Sequence, residues 1–270
     1  MNSTIPALMV EQLSAGYAGN RRAIQDITFD VQRGERIAVI GPNGAGKSTL
    51  FKALAGIIPH SNGSISLHGE DCRTSHLLIG YVPQSGNVDL TFPATVFDVV
   101  MMGRAREIGW FRWPRRVDHD AVEEALNHVG LWNLRKRQIG QLSGGQRQRV
   151  FIARALAQHT DVLLLDEPFS GVDVNAESEI MTTLDSLTNN GITLLIATHD
   201  LHMASTQFDK LLAINHHLMG FGVKDVVFTP DVLKATYGGR VGVIHTGDEQ
   251  TFIISDTHNI DVPAEAYISA

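Results

Sequence analysis

The sequence contains a single cysteine, Cys72, among its 270 residues. One cysteine cannot form an internal disulfide, and this usage fits a reducing compartment. No apolar run approaches the roughly 20 residues that a membrane-spanning helix needs, and the first residues lack the basic and apolar segments of a secretory signal peptide. If the protein works at a membrane, we expect it to dock on a partner that spans the bilayer.

Positive charge is also scarce, because 22 Lys and Arg residues stand against 29 Asp and Glu residues and give a formal net charge of −7. Proteins that bind nucleic acid generally carry a basic surface, so we expect no nucleic-acid partner. Hydrophobic residues make up 43% of the chain. This share and the length suit one large domain, or one domain with an appendage.

One glycine-rich segment is the most informative feature that is present. Residues 41–49 read GPNGAGKST, between an apolar run and a helix-forming segment. In this strand–loop–helix context, the pattern G-x-x-x-x-G-K-[ST] predicts a phosphate-binding loop. Glycines let backbone N–H groups approach a phosphate chain, and the following helix directs its N-terminus at the anion. The residues of this loop are Gly41, Pro42, Asn43, Gly44, Ala45, Gly46, Lys47, Ser48 and Thr49.

Two side chains of the loop have specific expected partners. We expect Lys47 to reach the β- and γ-phosphates of a nucleotide and the Ser48 hydroxyl to hold Mg²⁺. A glycine-rich turn that merely contains a lysine is the alternative, and the agreement of strand, loop and helix argues against it.

Apolar periodicity predicts the sheet around the loop. Residues 162–165 and 192–197 form unbroken apolar runs that are typical of central parallel strands covered on both faces. Residues 176–189 between them read as a helix, which predicts a β–α–β unit. Residues 121–129 form an amphipathic pattern that ends at Gly130, a plausible C-terminal cap.

An alternating segment near the N-terminus predicts a half-buried strand. Its period places Ile24, Asp26 and Thr28 on one face and Ile27 and Phe29 on the other.

Several further motifs follow the phosphate loop in a fixed order. Residues 142–146 read LSGGQ before a helix, residues 162–168 read VLLLDEP, residues 170–173 read SGVD, and residues 198–200 read THD. This set closely resembles the ATP-binding subunit of ABC transporters over nearly the whole chain. An LSGGQ segment between a phosphate loop and a DEP strand end is highly specific, although any one pentapeptide alone is weak.

The resemblance implies an α/β fold of the P-loop NTPase class. We expect the ABC ATPase fold, with a RecA-like parallel-sheet core, an antiparallel β subdomain and a helical subdomain. We assign residues 1–240 to the ATPase domain, with the helical subdomain inserted at about 88–158, and residues 241–270 to a β-rich C-terminal tail.

Adjacent carboxylates end the first apolar strand. Asp166 lies where a carboxylate can hold Mg²⁺ beside a phosphate loop, and the resemblance implies that Glu167 is the general base that activates the attacking water. The alternative is that both residues cap the following turn. A strand this apolar seldom ends in two carboxylates without a task for them.

The resemblance assigns three further residues to the nucleotide. His199 contacts the γ-phosphate, Gln84 touches Mg²⁺ or the water, and Tyr17 stacks on adenine. A structural strand-end histidine, a loop amide and a surface tyrosine are the respective alternatives. Stacking tolerates different bases, so Tyr17 does not exclude GTP.

The LSGGQ motif implies a dimer. In the family, Ser143 and the backbone of Gly144 and Gly145, followed by Gln146, contact the γ-phosphate of ATP held by a second copy. Glycines before a helix N-terminus form a second anion site. Two copies arranged head-to-tail then enclose two ATP molecules, and Asp173 couples the two sites across the interface.

Residues 92–104, the GWF segment at 109–111 and residues 228–233 resemble importers of manganese, zinc or iron. The resemblance implies an integral-membrane permease and an extracytoplasmic metal-binding protein as partners. It also implies a peripheral location on the cytoplasmic face of the plasma (inner) membrane. Importers of chelated iron or cobalamin, an exporter, and a non-transport ABC ATPase remain the alternatives.

Two further segments have no role in that scheme. Trp110, Phe111 and Trp113 interleave with arginines, a composition found at nucleic-acid or membrane surfaces, and we place this loop near lipid headgroups rather than treating it as an ordinary surface loop. In the C-terminal tail, residues 241–244 and 251–254 read as strands around a turn. His245, Asp256 and His258 in this tail could form a regulatory metal site, although no tight ligand spacing supports one.

Overall fold

The computed structural model describes residues 5–17, 21–72, 78–84, 93–109, 111–238, 241–246 and 249–254. The strands are β1 Leu8–Tyr17, β2 Arg21–Val31, β3 Arg36–Ile40, β4 His60–Leu67, β5 Glu70–Asp71, β6 Ile79–Val82, β7 Val162–Asp166, β8 Thr193–Thr198, β9 Lys210–Asn215, β10 His217–Val223, β11 Val241–Thr246 and β12 Glu249–Ile254. The α-helices are α1 Lys47–Leu54, α2 Val96–Met101, α3 Ala105–Ile108, α4 Arg116–His128, α5 Gly144–Leu156, α6 Val174–Asn189, α7 Leu201–Gln207, α8 Lys224–Val227 and α9 Pro230–Tyr237. Short 3-10 helices span Met102–Arg104, Trp132–Leu134 and Ile139–Gln141.

The central sheet has the strand order β10-β9-β3-β8-β7-β6. All neighbouring pairs are parallel except β10 and β9. Every residue of β7 and β8 is buried, which confirms the predicted central strands. The predicted β–α–β unit is present as β7, α6 and β8.

Both faces of this sheet are covered, and β3 shows how. Ile37 and Val39 of β3 belong to an apolar cluster with α1 and the strands β1 and β2. Ala38 and Ile40 face a second cluster that contains α2, α4, α5 and α6. The alternation of β3 therefore joins two cores, and the phosphate loop that follows β3 is anchored between them.

A separate antiparallel sheet has the order β2-β1-β4-β5, and here one prediction is wrong. Ile24 is fully buried, as Ile27 is, rather than lying with Asp26 on the opposite face. Leu13 pairs with Ile27 and Ala15 pairs with Ile24, so β2 contains one extra residue at this point. Asp26 has a φ of 51°. A β-bulge shifts every following side chain to the other face, and periodicity alone does not reveal it.

Two other predictions agree with the structure. Helix α4 ends at His128, and Gly130 has the positive φ of 69° that suits a helix C-terminus. Strands β11 and β12 pair antiparallel, as predicted, and residues 247–248 of the predicted turn lie outside the described residues.

The possible regulatory metal site falls largely outside this picture. Asp256 and His258 lie outside the described residues, and only the backbone of His245 is described. In the part of the chain that is described, no group of three or more His, Cys, Asp or Glu side chains is placed to hold a metal ion. No helix within those same ranges is long and apolar enough to span a bilayer.

Candidate functional site

Four parallel strands end side by side, and the predicted site residues follow them. The glycine-rich loop 41–49 follows β3, His199 follows β8, Asp166 ends β7 with Glu167 next to it, and Gln84 comes two residues after β6. Ligands of open α/β sheets bind outside the carboxyl ends of the strands. The topology therefore gathers these side chains at the edge where that rule places a ligand.

Two glycines of the loop, Gly41 and Gly46, are required by close contacts. If Gly41 carried a Cβ, that atom would lie 2.2 Å from the Ile214 carbonyl oxygen. A Cβ on Gly46 would lie 2.5 Å from the Ile24 side chain. Gly46 also has a φ of 102° and directly precedes α1. The bulge in β2 buries Ile24, so the loop rests on a side chain that periodicity assigned to the other face.

Lys47 lies over the loop from the first position of α1. Its Nζ atom donates to the carbonyl oxygens of Gly41 at 2.6 Å and Pro42 at 3.2 Å, and the residue is buried. Burial lowers the pKa of Lys47, whereas the charges of Glu167 and Asp166 raise it. The ammonium group is therefore within electrostatic reach of both carboxylates and of any anion in the loop.

Asp166 is a buried carboxylate with a specific donor. The Tyr81 hydroxyl donates to Asp166 Oδ2 at 3.2 Å, from the neighbouring strand β6. Burial, and then the charge of Asp166, raises the pKa of Tyr81, so the phenol stays protonated and remains a donor. Sequence reasoning missed Tyr81, and its aromatic position on the strand beside β7 was the only available indication.

Glu167 is held by the residues that follow the two flanking strands. Its Oε2 accepts a hydrogen bond from Gln84 Nε2 at 3.0 Å, and its Oε1 lies 3.6 Å from His199 Nδ1. Glu167 has a φ of 50°, and its N–H donates to the Ala197 carbonyl oxygen at 3.1 Å. Strain of this kind in a non-glycine residue is typical of functional sites. The side chains of Gln84, Glu167 and His199 thus form one cluster.

Tyr17 lies at the end of β1 and is half-exposed, with 53% of its surface accessible. Lys52 of α1 donates to the Tyr17 hydroxyl at 3.2 Å, and its ammonium lies 5.7 Å from the ring centroid. Sequence reasoning did not anticipate this lysine. The exposed part of the ring is suited to stacking, and α1 connects it to the phosphate loop.

The LSGGQ segment forms a separate helix N-terminus. The Ser143 hydroxyl accepts from the Gln146 N–H, and the Gln146 side chain accepts from the Ser143 N–H, both at 3.2 Å. Gly144 opens α5, and a Cβ on Gly145 lies 2.5 Å from Ala176 Cβ. This reciprocal capping box presents Ser143 at the surface.

Asp173 caps the neighbouring helix. Its Oδ1 accepts from the Ala176 N–H at 3.0 Å, and α6 begins directly after it. The next residue, Val174, is 82% exposed. The close approach of Gly145 to Ala176 lets α6 pack against α5, so Asp173 and Ser143 lie at the N-termini of two packed helices.

Comparisons with known proteins agree with this arrangement. Residues 24–170 match the sequence family described as ABC transporter. The chain is 48% identical over 218 residues to the manganese transport system ATP-binding protein MntB of Bacillus subtilis (strain 168), covering 81% of this chain and 87% of that protein. It is 40% identical over 241 residues to the zinc transport system ATP-binding protein TroB of Treponema pallidum (strain Nichols), covering 89% and 90%.

Solved structures give the same picture. A metal-chelate type ABC transporter in an inward-facing conformation aligns with a TM-score of 0.78 and 31% identity, covering 93% of this chain and 98% of that one. A nucleotide-free ATP-binding cassette from an ABC transporter aligns with a TM-score of 0.74 and 26% identity, covering 85% and 98%.

Proposed function

Because the chain belongs to the ABC transporter family as an ATP-hydrolysing, ATP-binding subunit, we propose that it powers import of a transition-metal cation through a partner permease. The cation is manganese, zinc or iron, as in the names of relatives at 40–48% identity. The observation that best supports ATP hydrolysis is the cluster of Gln84, Glu167 and His199 at the strand ends.

The loop 41–49 binds the triphosphate. Its close-packed glycines keep side chains away from the backbone donors, and α1 begins directly behind it. The helix N-terminus and the Lys47 ammonium add positive charge at the same point. Lys47 exchanges its present carbonyl partners for phosphate oxygens, and Tyr17 stacks on the adenine.

The side chains at this edge also fit Mg²⁺. Asp166 offers a buried carboxylate held by Tyr81, and Ser48 offers a hydroxyl from the first turn of α1. Hard oxygen ligands of this type are those that Mg²⁺ prefers. Asp166, Ser48 and Gln84 would hold the ion, which would neutralise charge on the β- and γ-phosphates.

Glu167 removes the proton from the attacking water. Gln84 donates to one of its carboxylate oxygens and His199 lies 3.6 Å from the other, and the Gln84 hydrogen bond orients the base before the water arrives. The His199 side chain is 63% exposed, so the imidazole ring has room to turn toward the γ-phosphate. General-base catalysis of this kind contributes about 10²–10⁴-fold to the rate.

A second copy of the chain completes the site. Ser143, Gly144, Gly145 and Gln146 form the N-terminus of α5, where Ser143 is exposed, far along the chain from the phosphate loop. Head-to-tail pairing places this anion site on the γ-phosphate held by the other copy. ATP then favours the closed dimer by its differential affinity, and hydrolysis releases it. Asp173 couples the two sites from the N-terminus of α6, which packs against α5.

The permease docks on the helices between Gln84 and Leu142. A groove of about 580 Å³ lies there, lined mainly by apolar side chains. Its lining residues are Asp98, Met101, Met102, Ala105, Arg106, Ile108 and Gly109. Methionine adapts its shape to a partner, so this groove suits a short helix of the permease. The subunit then sits on the cytoplasmic face of the plasma (inner) membrane, and an extracytoplasmic protein delivers the metal.

A chelated form of iron is the second candidate cargo. The chelated iron transport system protein YfeB of Yersinia pestis is 43% identical over 238 residues, covering 87% of this chain and 80% of that protein. A free cation is preferred because the manganese transport protein MntB of Bacillus subtilis (strain 168), at 48% identity, is more similar to this chain than YfeB is at 43%.

Transport by the reconstituted complex tests the proposal. The chain and its permease are placed in vesicles, with ATP on the side of the chain and the loaded binding protein on the other side. We expect uptake of Mn²⁺, Zn²⁺ or Fe²⁺ that stops when Lys47→Ala replaces the wild type. Metal movement toward the binding-protein side, or ATP turnover with no metal movement, overturns the assignment.

A further inference from the structure

Two aromatic side chains project from the segment between α3 and α4. Phe111 is 99% exposed and Trp113 is 89% exposed, and Val117 at the start of α4 is 51% exposed. Scattered apolar residues are normal on a protein surface, but side chains this large are almost always partly covered by neighbours. An exposure of 99% means that Phe111 has almost no protein contact on any side.

The base of this segment is fixed. Arg104 Nε lies 3.2 Å from Asp118 Oδ1 in a buried ion pair, and an Arg104 guanidinium nitrogen also donates to the Ala157 carbonyl oxygen at 2.9 Å. The second Asp118 oxygen accepts from the Arg115 N–H at 2.9 Å. On the other side, the Gly109 N–H donates to the Ala105 carbonyl oxygen at 3.0 Å. Gly109 on one side and Arg115 on the other are therefore held by hydrogen bonds, and residue 110 lies outside the described part of the chain.

The same segment concentrates positive charge. Residues 111–117 contain Arg112, Arg115 and Arg116 and no acidic residue, in a chain whose formal net charge is −7. All three arginines are exposed. The charge of Arg115 acts on the buried Asp118, and Arg116 lies 3.9 Å from Asp120 on the exposed side of α4. An ion pair this exposed and long contributes little, so the positive charge stays available.

We propose that residues 111–117 bind the surface of an anionic lipid bilayer directly, with Phe111 and Trp113 at the level of the headgroups. Exposed aromatic rings next to arginines are the side chains that partition to this depth. Guanidinium groups pair with lipid phosphates in two-point hydrogen bonds. Lipid contact would hold the subunit against the membrane independently of the permease.

The shape of the segment favours lipid over a protein partner. A protein contact generally buries an aromatic anchor in a pocket beside further apolar groups. The apolar groove proposed for the permease ends at Gly109, and Phe111 and Trp113 are not among the residues that line it. Projecting rings suit a continuous fluid surface, whereas the groove suits a helix.

Vesicle binding by the purified chain without permease tests this inference, so the result does not depend on the transported metal. Vesicles of phosphatidylcholine alone are compared with vesicles that also contain phosphatidylglycerol. We expect binding to the anionic vesicles only, weakening as salt rises. Each of Arg112→Ala and Arg116→Ala weakens it about fivefold, and Phe111→Ala with Trp113→Ala weakens it at least tenfold.

Matched variants separate this effect from general charge and from misfolding. Lys136→Ala with Arg137→Ala removes two exposed charges in another part of the same helical region, and we expect unchanged vesicle binding. ATP affinity measures the fold of every variant and should equal that of the wild type. Brominated lipids should quench the tryptophan fluorescence of the wild type more strongly than that of Trp113→Ala, which keeps two other tryptophans.

Four outcomes overturn the proposal. The first is equal binding to neutral and anionic vesicles, and the second is equal binding by wild type and the double aromatic variant. The third is that the variants bind vesicles as the wild type does but no longer assemble with the permease in neutral lipid discs. That result would make the segment a protein contact. Binding of RNA by the purified chain, without binding to anionic vesicles, also overturns the proposal.

Discussion

The side-chain amide of Gln84 donates a hydrogen bond to the Glu167 carboxylate at 3.0 Å. The two residues are 83 positions apart in the chain, and they meet because β6 and β7 are neighbouring parallel strands. His199 approaches the other Glu167 oxygen from β8 at 3.6 Å. The orientation of the proposed base is therefore set by residues from both flanking strands.

Gln84→Ala tests this orientation. Hydrogen bonds to charged groups contribute about 1.5–3 kcal/mol, so loss of the amide should lower kcat for ATP by about 10- to 100-fold. The KM for ATP should change less than kcat does, because Lys47 and the loop 41–49, which bind the triphosphate, are unchanged and only one of the proposed Mg²⁺ ligands is lost. Steady-state ATP turnover by the assembled complex measures both constants. An unchanged kcat shows that the amide does not position the base.

Lys47→Ala tests the phosphate loop. Removing the ammonium leaves the triphosphate without its main charged partner, so ATP affinity should fall by about 100-fold, which corresponds to about 2.7 kcal/mol. Isothermal titration with ATP measures the change. Lys224→Ala removes a charge from an exposed residue of α8 and serves as the control. Normal ATP affinity in Lys47→Ala contradicts the role of this lysine.

Tyr81→Phe tests the donor to Asp166. Loss of this hydrogen bond should lower the free energy of unfolding by about 1 kcal/mol at neutral pH. The wild type should also lose stability as pH rises above about 10, the ordinary pKa of tyrosine. The folded state raises the pKa of Tyr81, so the unfolded chain releases that proton first.

Urea unfolding of both proteins between pH 7 and pH 11 measures this difference. Because Tyr81→Phe has no phenol at this position, its free energy of unfolding should decline less steeply over the alkaline range. Tyr237 also has a raised pKa and remains in both proteins, so it cancels in the comparison. Parallel pH profiles contradict the prediction.

Asp118→Ala tests the base of the segment 111–117. The variant leaves the Arg104 guanidinium buried without its carboxylate, and breaking a buried ion pair costs about 3–5 kcal/mol. Asp120→Ala removes the exposed partner of Arg116 instead and should change stability by less than about 0.5 kcal/mol. Urea unfolding at neutral pH compares the two. If both variants lower the free energy of unfolding by a similarly small amount, Asp118 does not stabilise the base of the segment 111–117.

The sequence predicted the parts of the fold that depend on local patterns. The structure confirmed the buried strands β7 and β8, the helix between them and the turn before α1. Their apolar runs and glycines are local patterns that favour one kind of element. The face of Ile24 was wrong because a single extra residue at Asp26 reverses the alternation. Bulges depend on the pairing of two strands, and one strand alone does not specify them.

The candidate site shows the same division. The motifs located Lys47, Asp166 and Glu167, since each follows a strand that periodicity identifies. Tyr81 and Lys52 were missed because their roles arise from contacts between distant segments. The roles assigned to Ser143 and Asp173 stay predictions, because they depend on a second copy of the chain.

Sedimentation of the Glu167→Gln variant with ATP and Mg²⁺ tests the central claim, which is that two copies enclose ATP between the loop 41–49 and the LSGGQ segment. Glutamine keeps the phosphate contacts but cannot remove the proton of the water, so this variant should form a stable dimer with ATP and remain a monomer with ADP. Adding Gly144→Glu should restore the monomer. A Cβ at Gly144 meets only ordinary contacts of 3.7 Å or more, and a carboxylate is favourable at the N-terminus of α5, but it repels a phosphate from the other copy. A Glu167→Gln chain that stays monomeric at saturating ATP, or a double variant that still dimerises, contradicts the account.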